Sequence, residues 1–200
     1  MPQLLIATNN SGKQKEIHSL LHYLSIELII PAELDLDIDV KEDGTTYKEN
    51  AAKKAITFAQ ASDRVSLADD SGLEVDALGG APGLYSARYA PQSNAKDADR
   101  RAFLLEQLSS HHQPWTACFR CAVAIATPDG HLQFTEGTCP GEIIPDERGS
   151  NGFGYDPIFF IPSFGRTMAE LSLQEKNQIS HRAQAVSAAQ SILLKLLMNT

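Results

Sequence analysis

The chain has 200 residues, of which 42% are apolar and 21% charged, and a formal net charge of −8. That length suffices for one sizeable core or two small lobes, and the acidic balance argues against non-specific nucleic-acid binding, so an anionic ligand needs a local basic pocket or a bridging cation. No apolar run approaches membrane-span length and MPQLLIATNN lacks a basic n-region, so the expected location is the cytoplasm, with no membrane or nucleic-acid partner.

Residues 4–8, LLIAT, read as a short buried strand. In SGKQKEIHSLLHYL, Ile17, Leu20, Leu21 and Leu24 recur at helical spacing. IELII predicts a second strand, and DLDIDV a weak strand or extended arm. Thr46 and Glu49 predict a capping box opening a helix to about Ala61. VSLAD reads as a third strand ending at the acid pair, and residues 73–78 as a fourth. GGAPGLYSARYAP is punctuated like a structured loop, and Asn94 with Asp97 opens a helix to about Leu108. WTACFRCAVAIAT and HLQFTEGT form a hairpin turning at Asp129-Gly130, and GEIIP adds a strand. GSNGFGYDPIFFIP is a glycine-rich loop entering a short strand, and a last helix covers about 182–198. Cys118 and Cys121 have C-x-x-C spacing but would face opposite sides of an alternating strand, so reduced thiols are expected rather than zinc or redox chemistry. The pattern predicts one mixed α/β domain over residues 1–200, with two lobes around one sheet.

Five stretches could carry chemistry. Thr8-Asn9-Asn10-Ser11-Gly12-Lys13 follows a strand and opens a helix, so backbone N–H groups, a glycine and a lysine could hold an anion. It is not a Walker A loop, and an ordinary capped turn reads the same way. Asp69-Asp70-Ser71-Gly72 ends a predicted strand, where α/β sheets bind ligands. Two carboxylates there could share Mg²⁺ or align a water, or simply mark a turn. Glu42-Asp43-Gly44 could add a metal carboxylate or be a solvated loop, with Lys54 on the helix beyond. In 149–157, three glycines interleave with Phe153 and Tyr155, which suits stacking of a base but equally an aromatic loop closing a core. Lys176, His181 and Arg182 make a cationic cluster, or an ordinary helix boundary.

Together IATNNSGK, ADDSGLEVDALGGAPGLYSARYA, GFGYDPIFF and EKNQISHRAQA resemble the Ham1-like inosine triphosphate pyrophosphatases, over essentially the whole chain. The resemblance implies an elongated mixed central sheet with flanking helices, two lobes with an active-site cleft between them, and usually a homodimer. It implies Mg²⁺-dependent hydrolysis of non-standard purine nucleoside triphosphates (ITP, dITP, XTP) to monophosphate and pyrophosphate. By motif position, Thr8, Asn9, Asn10, Ser11, Gly12 and Lys13 would form the substrate loop. Asp70 would be proton acceptor and metal ligand, Glu42 a further metal ligand, Ser71 a substrate contact and Lys54 a phosphate neighbour. Phe153, Gly154, Tyr155 and Asp156 would line the nucleoside pocket, and Lys176, His181 and Arg182 would complete base recognition. Ser150-Asn151 departs from the Thr-Gly pair expected before GFGYD. Two alternatives stand beside this: a nucleotide-binding module without catalysis, which has no need of carboxylates beside a phosphate loop, and a Maf-like pyrophosphatase, which shares the reaction but not the motifs.

Overall fold

The computed structural model describes residues 1–198. Its seven strands are β1 (Gln3–Ile6), β2 (Glu27–Ile29), β3 (Ser66–Val75), β4 (Trp115–Ala126), β5 (Leu132–Ile143), β6 (Phe159–Ile161) and β7 (Arg166–Thr167). They form one open sheet in the order β2-β1-β3-β4-β5-β6-β7. The sheet is mixed: β1 pairs parallel with β2 and β3, while β6 pairs antiparallel with β5 and β7. The helices are α1 (Ser11–Leu21), α2 (Tyr47–Ser62), α3 (Asp97–Leu108), α4 (Leu173–Ile179) and α5 (His181–Met198). The chain divides into two compact units, one made of Met1–Asp70, Cys121–Gly137 and the residues from His181 onward, the other of Ser71–Arg120 and Thr138–Ser180.

In the first unit the pleat sorts side chains to two faces. Leu4 and Ile6 of β1, Leu67 of β3, and Cys121, Val123 and Ile125 of β4 pack with Ile17 and Leu21 of α1 and with Val186, Ala189 and Leu193 of α5. Their neighbours Leu5, Ala7, Ala68, Ala124 and Ala126 pack instead with Ala51, Ala55, Phe58 and Ala59 of α2. Small residues on the second face let α2 lie close to the sheet. The second unit has its own core, in which Leu73, Val75, Leu104, Trp115, Phe119, Tyr155, Phe159 and Met168 meet.

Several expectations are corrected. The third and fourth predicted strands are one: β3 runs unbroken through Asp69, Asp70, Ser71 and Gly72, so the acid pair lies inside a strand rather than at its end. Nearly all of its residues are buried, which ten consecutive residues achieve only if the acids find partners. Likewise β5 continues through Pro140 to Ile143 and absorbs the first three residues of GEIIP. DLDIDV contributes no strand; a 3₁₀ turn at Pro31–Leu34 precedes it. α3 starts at Asp97 behind Lys96, while Asn94 sits in the left-handed region at φ 63°. At α2 half of the capping box is displaced. Thr46 Oγ1 accepts from Glu49 N, but the Glu49 carboxylate accepts from the Thr45 N–H and hydroxyl. The short α4 and β7 had no counterpart in the sequence reading.

Candidate active site

The two acids of β3 separate by strand alternation. Asp69 shares the α1/α5 face with Leu67; Asp70 shares the α2 face with Ala68. Their relative exposures are 0% and 7%, so each carboxylate depends on protein partners.

On the first face Asp69 Oδ2 accepts from Arg182 Nε at 3.1 Å and Nη2 at 3.0 Å. Lys13 Nζ lies 3.1 Å from the same oxygen and donates to the Asp69 carbonyl. Arg182 Nη1 pairs with Glu16 of α1, and both side chains are buried. Burial alone would raise the Asp69 carboxyl, but Lys13, Arg182 and Lys54 outweigh it and hold it well below the ordinary carboxylate range. The Cys121 thiol lies 3.9 Å from Asp69 Oδ2; burial, then the Asp69 charge, pushes it up, so it stays a protonated neighbour. The three cysteines are free thiols.

On the second face Asp70 meets α2. Asn50 Nδ2 donates to Asp70 Oδ2 at 3.1 Å, and Lys54 Nζ stands 3.5 Å from Asp70 Oδ1. The same ammonium donates to Glu42 Oε1 at 2.5 Å. Asn50 and Lys54 are one helical turn apart, on the face of α2 that buries Ala51 and Ala55. Burial raises the Asp70 carboxyl against the pull of Lys54 and Lys13, Glu42 raises it further, and the net direction is upward. Burial opposes the charge on Lys54, yet Asp70, Asp69 and Glu42 keep its pKa above the ordinary lysine value.

The 8–13 stretch joins β1 to α1 as expected. Asn10 caps α1 by accepting from Lys13 N at 3.0 Å, Thr8 Oγ1 accepts from Asn10 N, and Gln14 Nε2 donates to the Thr8 carbonyl at 2.7 Å. Asn9 and Ser11 are exposed, and Gly12 is half-buried. An open cavity of about 370 Å³ at Asn9 is otherwise lined by Ala32, Asp35, Leu36 and Asp37, and so offers no cation. Thus Lys13, Asp69, Asp70, Lys54, Glu42 and the loop are brought together within the first unit.

The second unit holds the aromatic loop. Asp156 Oδ2 accepts from Lys176 Nζ at 2.5 Å and from Phe153 N at 2.9 Å, and the Lys176 ammonium lies 5.3 Å from the Phe153 ring centroid. Asp97 accepts from Gly154 N, and Arg101 donates to the Gly154 carbonyl while forking onto Glu147. The Tyr155 hydroxyl donates to the Ser86 carbonyl, and the ring is buried in the core. Asn151, at the departure from the expected Thr-Gly pair, ties its N–H to the Ala169 carbonyl and its side chain to the Leu171 carbonyl. Ser71 is half-buried in β3, and His181 is buried at the start of α5.

Asn50, Glu16, Asp97 and Arg101 were missed in the sequence. No helical pattern marked them: Asn50 has Thr46, Tyr47, Lys53 and Lys54 at the spacings of its own helix face, and Glu16 has only Leu20 as an apolar neighbour there. Arg182, expected at the base, has its guanidinium bound by Asp69 and Glu16.

Mg²⁺ needs hard oxygen donors and is commonly held by one or two carboxylates, with phosphate and water completing its shell. Glu42 and Asp70, converging on one ammonium, fit that demand. No cluster of three or more His, Cys, Asp or Glu is placed to enclose a metal among the described residues, so an all-protein cage does not fit.

The sequence profile of the Ham1 family matches residues 4–192. A dITP/XTP pyrophosphatase of Desulforamulus reducens is 44% identical over 199 residues, covering 98% of each chain. One of Shouchella clausii is 47% identical over 190 residues, 94% of each. Among solved structures, a HAM1 protein of Coxiella burnetii superposes with a TM-score of 0.87 at 42% identity, covering 98% of this chain and 100% of its own. The Staphylococcus aureus Ham1 protein gives 0.84 at 41%, covering 97% and 99%. On a match that spans nearly the whole chain in sequence and in fold, this protein belongs to the Ham1 family.

Proposed function

We propose that this chain is a nucleoside-triphosphate pyrophosphatase that hydrolyses dITP, XTP and ITP to the monophosphate and pyrophosphate, using Mg²⁺. The relatives' activity supports the reaction class. The observation that carries the mechanism is the charge count around β3. Glu16, Glu42, Asp69 and Asp70 face Lys13, Lys54 and Arg182. Four carboxylates against three cations leave no surplus positive charge for a polyphosphate, so a dication is needed to bring one in.

Glu42 and Asp70 would hold that ion, which supplies electrostatic stabilisation of charge on the phosphates and favours ionisation of a nearby water. Lys13 and Lys54 place ammonium groups beside the acid pair, where charge grows on the bridging and non-bridging oxygens as water attacks the α-phosphorus. At the start of α1 the N–H groups of Ser11 and Gly12 receive phosphate oxygens, those of Asn10 and Lys13 being spent on Thr8 and on the Asn10 cap. Asp70, raised by burial, is the base that accepts the proton of water. Asp69, locked by Arg182, keeps Lys13 in place.

Ser71 contacts the substrate, and Phe153, Gly154, Tyr155 and Asp156 flank the nucleoside. Lys176 and His181 present donors to the 6-oxo group of hypoxanthine or xanthine, while Arg182, with its guanidinium on Asp69 and Glu16, acts through Asp69. Adenine puts an amino donor there instead, and each unpaired buried polar group costs about 1–3 kcal/mol. Guanine shares the 6-oxo group, so its rejection depends on its 2-amino position. A homodimer in the cytoplasm completes this reading.

One panel tests it: pyrophosphate release from ITP, XTP, dITP, ATP, GTP and UTP, with and without Mg²⁺, by wild type and Asp70→Asn. Wild type should prefer ITP, dITP and XTP strongly and require the metal. Asp70→Asn should fold normally and lose on the order of 10²–10⁴-fold in rate. Equal turnover of all six nucleotides, or near-normal turnover by folded Asp70→Asn, would overturn the respective assignment.

A further inference from the structure

The Asn50 side chain makes two hydrogen bonds of opposite sense, both to the neighbourhood of the proposed metal carboxylates. Its Nδ2 donates to Asp70 Oδ2 at 3.1 Å; its Oδ1 accepts from Gly44 N at 2.8 Å. It is 1% exposed, in the first turn of α2. The backbone N–H of Gly44 can only donate, so the amide must turn its oxygen that way, which aims the NH₂ at Asp70. Gly44 is two residues beyond Glu42, on an arm without regular secondary structure. The fit there is close: a Cβ at Gly44 would stand 2.6 Å from Asn50 Oδ1 and 2.8 Å from Glu49 Cβ.

We propose that Asn50 is a positioning residue that registers the Glu42 arm against Asp70, so that two carboxylates 28 positions apart in the sequence present one site. No other side chain of this length does both jobs. Aspartate cannot donate, leucine can do neither, and glutamine carries its amide one methylene further out. Lys54 completes the frame from one turn along α2, with Glu42 and Asp70 both on its ammonium. The helix thus holds Asp70 by a neutral amide and by a charge, and the Glu42 arm likewise, by the amide at Gly44 and by the charge at Glu42. Asn50 touches neither substrate nor metal in this arrangement; it acts through Asp70 and Gly44, as outer-shell partners orient ligands elsewhere.

This inference rests on Glu42 and Asp70 being the metal ligands, and its test separates the two claims. Mn²⁺ is titrated calorimetrically into wild type, Asn50→Leu, Gly44→Ala and the double variant. kcat and KM for dITP are then measured against Mg²⁺ concentration, well below each melting temperature. Asn50→Leu and Gly44→Ala should each weaken Mn²⁺ binding by about 10–100-fold and raise the Mg²⁺ needed for half-maximal rate. KM for dITP at saturating Mg²⁺ should stay near the wild-type value. Because both variants break one clamp, the double variant should lose little more than the worse single one. Folded variants with wild-type Mn²⁺ affinity, or fully additive losses, overturn the clamp. Should Asn50→Leu fail to fold, Gly44→Ala decides alone. A wild type that binds no Mn²⁺ overturns the metal ligands first, and the clamp with them.

Discussion

Asp156 and Lys176 show how a single pair can fix a loop. Their side chains are 4% and 5% exposed, with Nζ 2.5 Å from Oδ2. Such a pair need not stabilise the fold relative to apolar residues, but removing one partner strands the other charge. Lys176→Met should therefore cost about 3–5 kcal/mol in a urea titration. Adding Asp156→Asn to it should recover part of that loss, since the stranded carboxylate is then neutral. A Lys176→Met protein of wild-type stability would show that solvent reaches the pair. The same carboxylate explains a glycine. Gly152 has φ +74°, and a Cβ there would stand 1.9 Å from Asp156 Oδ2. Glycines in this loop read in the sequence as room for a base; at Gly152 the structure assigns the room to Asp156. The residue types were legible, and so was the acid pair; its opposite-facing side chains follow from β3 running through it. What was not legible is who pairs with whom: Asp69 meets Arg182 across 113 positions, a relation that only the fold creates.

Elements behave differently, because their signals are local. α4 has only seven residues and depends on its cap. Ser172 Oγ accepts from Glu175 N, while Glu175 Oε2 accepts from the Ser172 N–H at 2.8 Å and hydroxyl at 2.9 Å. Arg166 donates to Glu175 Oε1 at 2.6 Å. The Arg166 bond, then the two from Ser172, bring the Glu175 carboxyl down to about 2. A folded value below the unfolded one, about 4.3, means that the stabilisation is complete above the unfolded value. It is lost as pH falls through that value toward about 2. Wild type should therefore exceed Glu175→Gln in stability at neutral pH, and the difference should vanish by about pH 2. Carboxyl NMR titration with paired denaturation curves reads both. An ordinary glutamate titration would refute the box. Its sequence signal, Ser172 with Glu175, was as plain as the Thr46–Glu49 signal that was read at α2. β3 failed in the opposite direction. Asp-Asp-Ser-Gly is turn chemistry locally, and the strand passes through it because Arg182, Lys13, Lys54 and Asn50 receive the acids.

At the scale of the whole molecule, apolar side chains change core along the long strands: Leu67 and Val123 serve one, Leu73 and Phe119 another, and that sorting was not legible, because it depends on which helices pack on each end of a strand. Neither core contains a metal-ligating cluster among the described residues. The acids proposed to take Mg²⁺ share the Lys54 ammonium, which offsets much of their mutual repulsion without the ion. The ion is therefore expected to serve turnover and not folding. The net charge of −8 sharpens this: a polyanion approaching an acidic chain gains little from long-range attraction, and the dication has to supply it locally. Exhaustive chelation should abolish pyrophosphate release while leaving the melting temperature of the ligand-free protein unchanged within about 2 °C. Mg²⁺ alone should raise that temperature only by the amount its binding to the folded state allows, rising as the logarithm of its concentration. Structural metals behave otherwise, because their binding energy is folding energy and chelators unfold their hosts. A fall of many degrees on chelation would mean that the acids of β3 are held by metal rather than by α2 and α5, and would reverse the order in which this site is built.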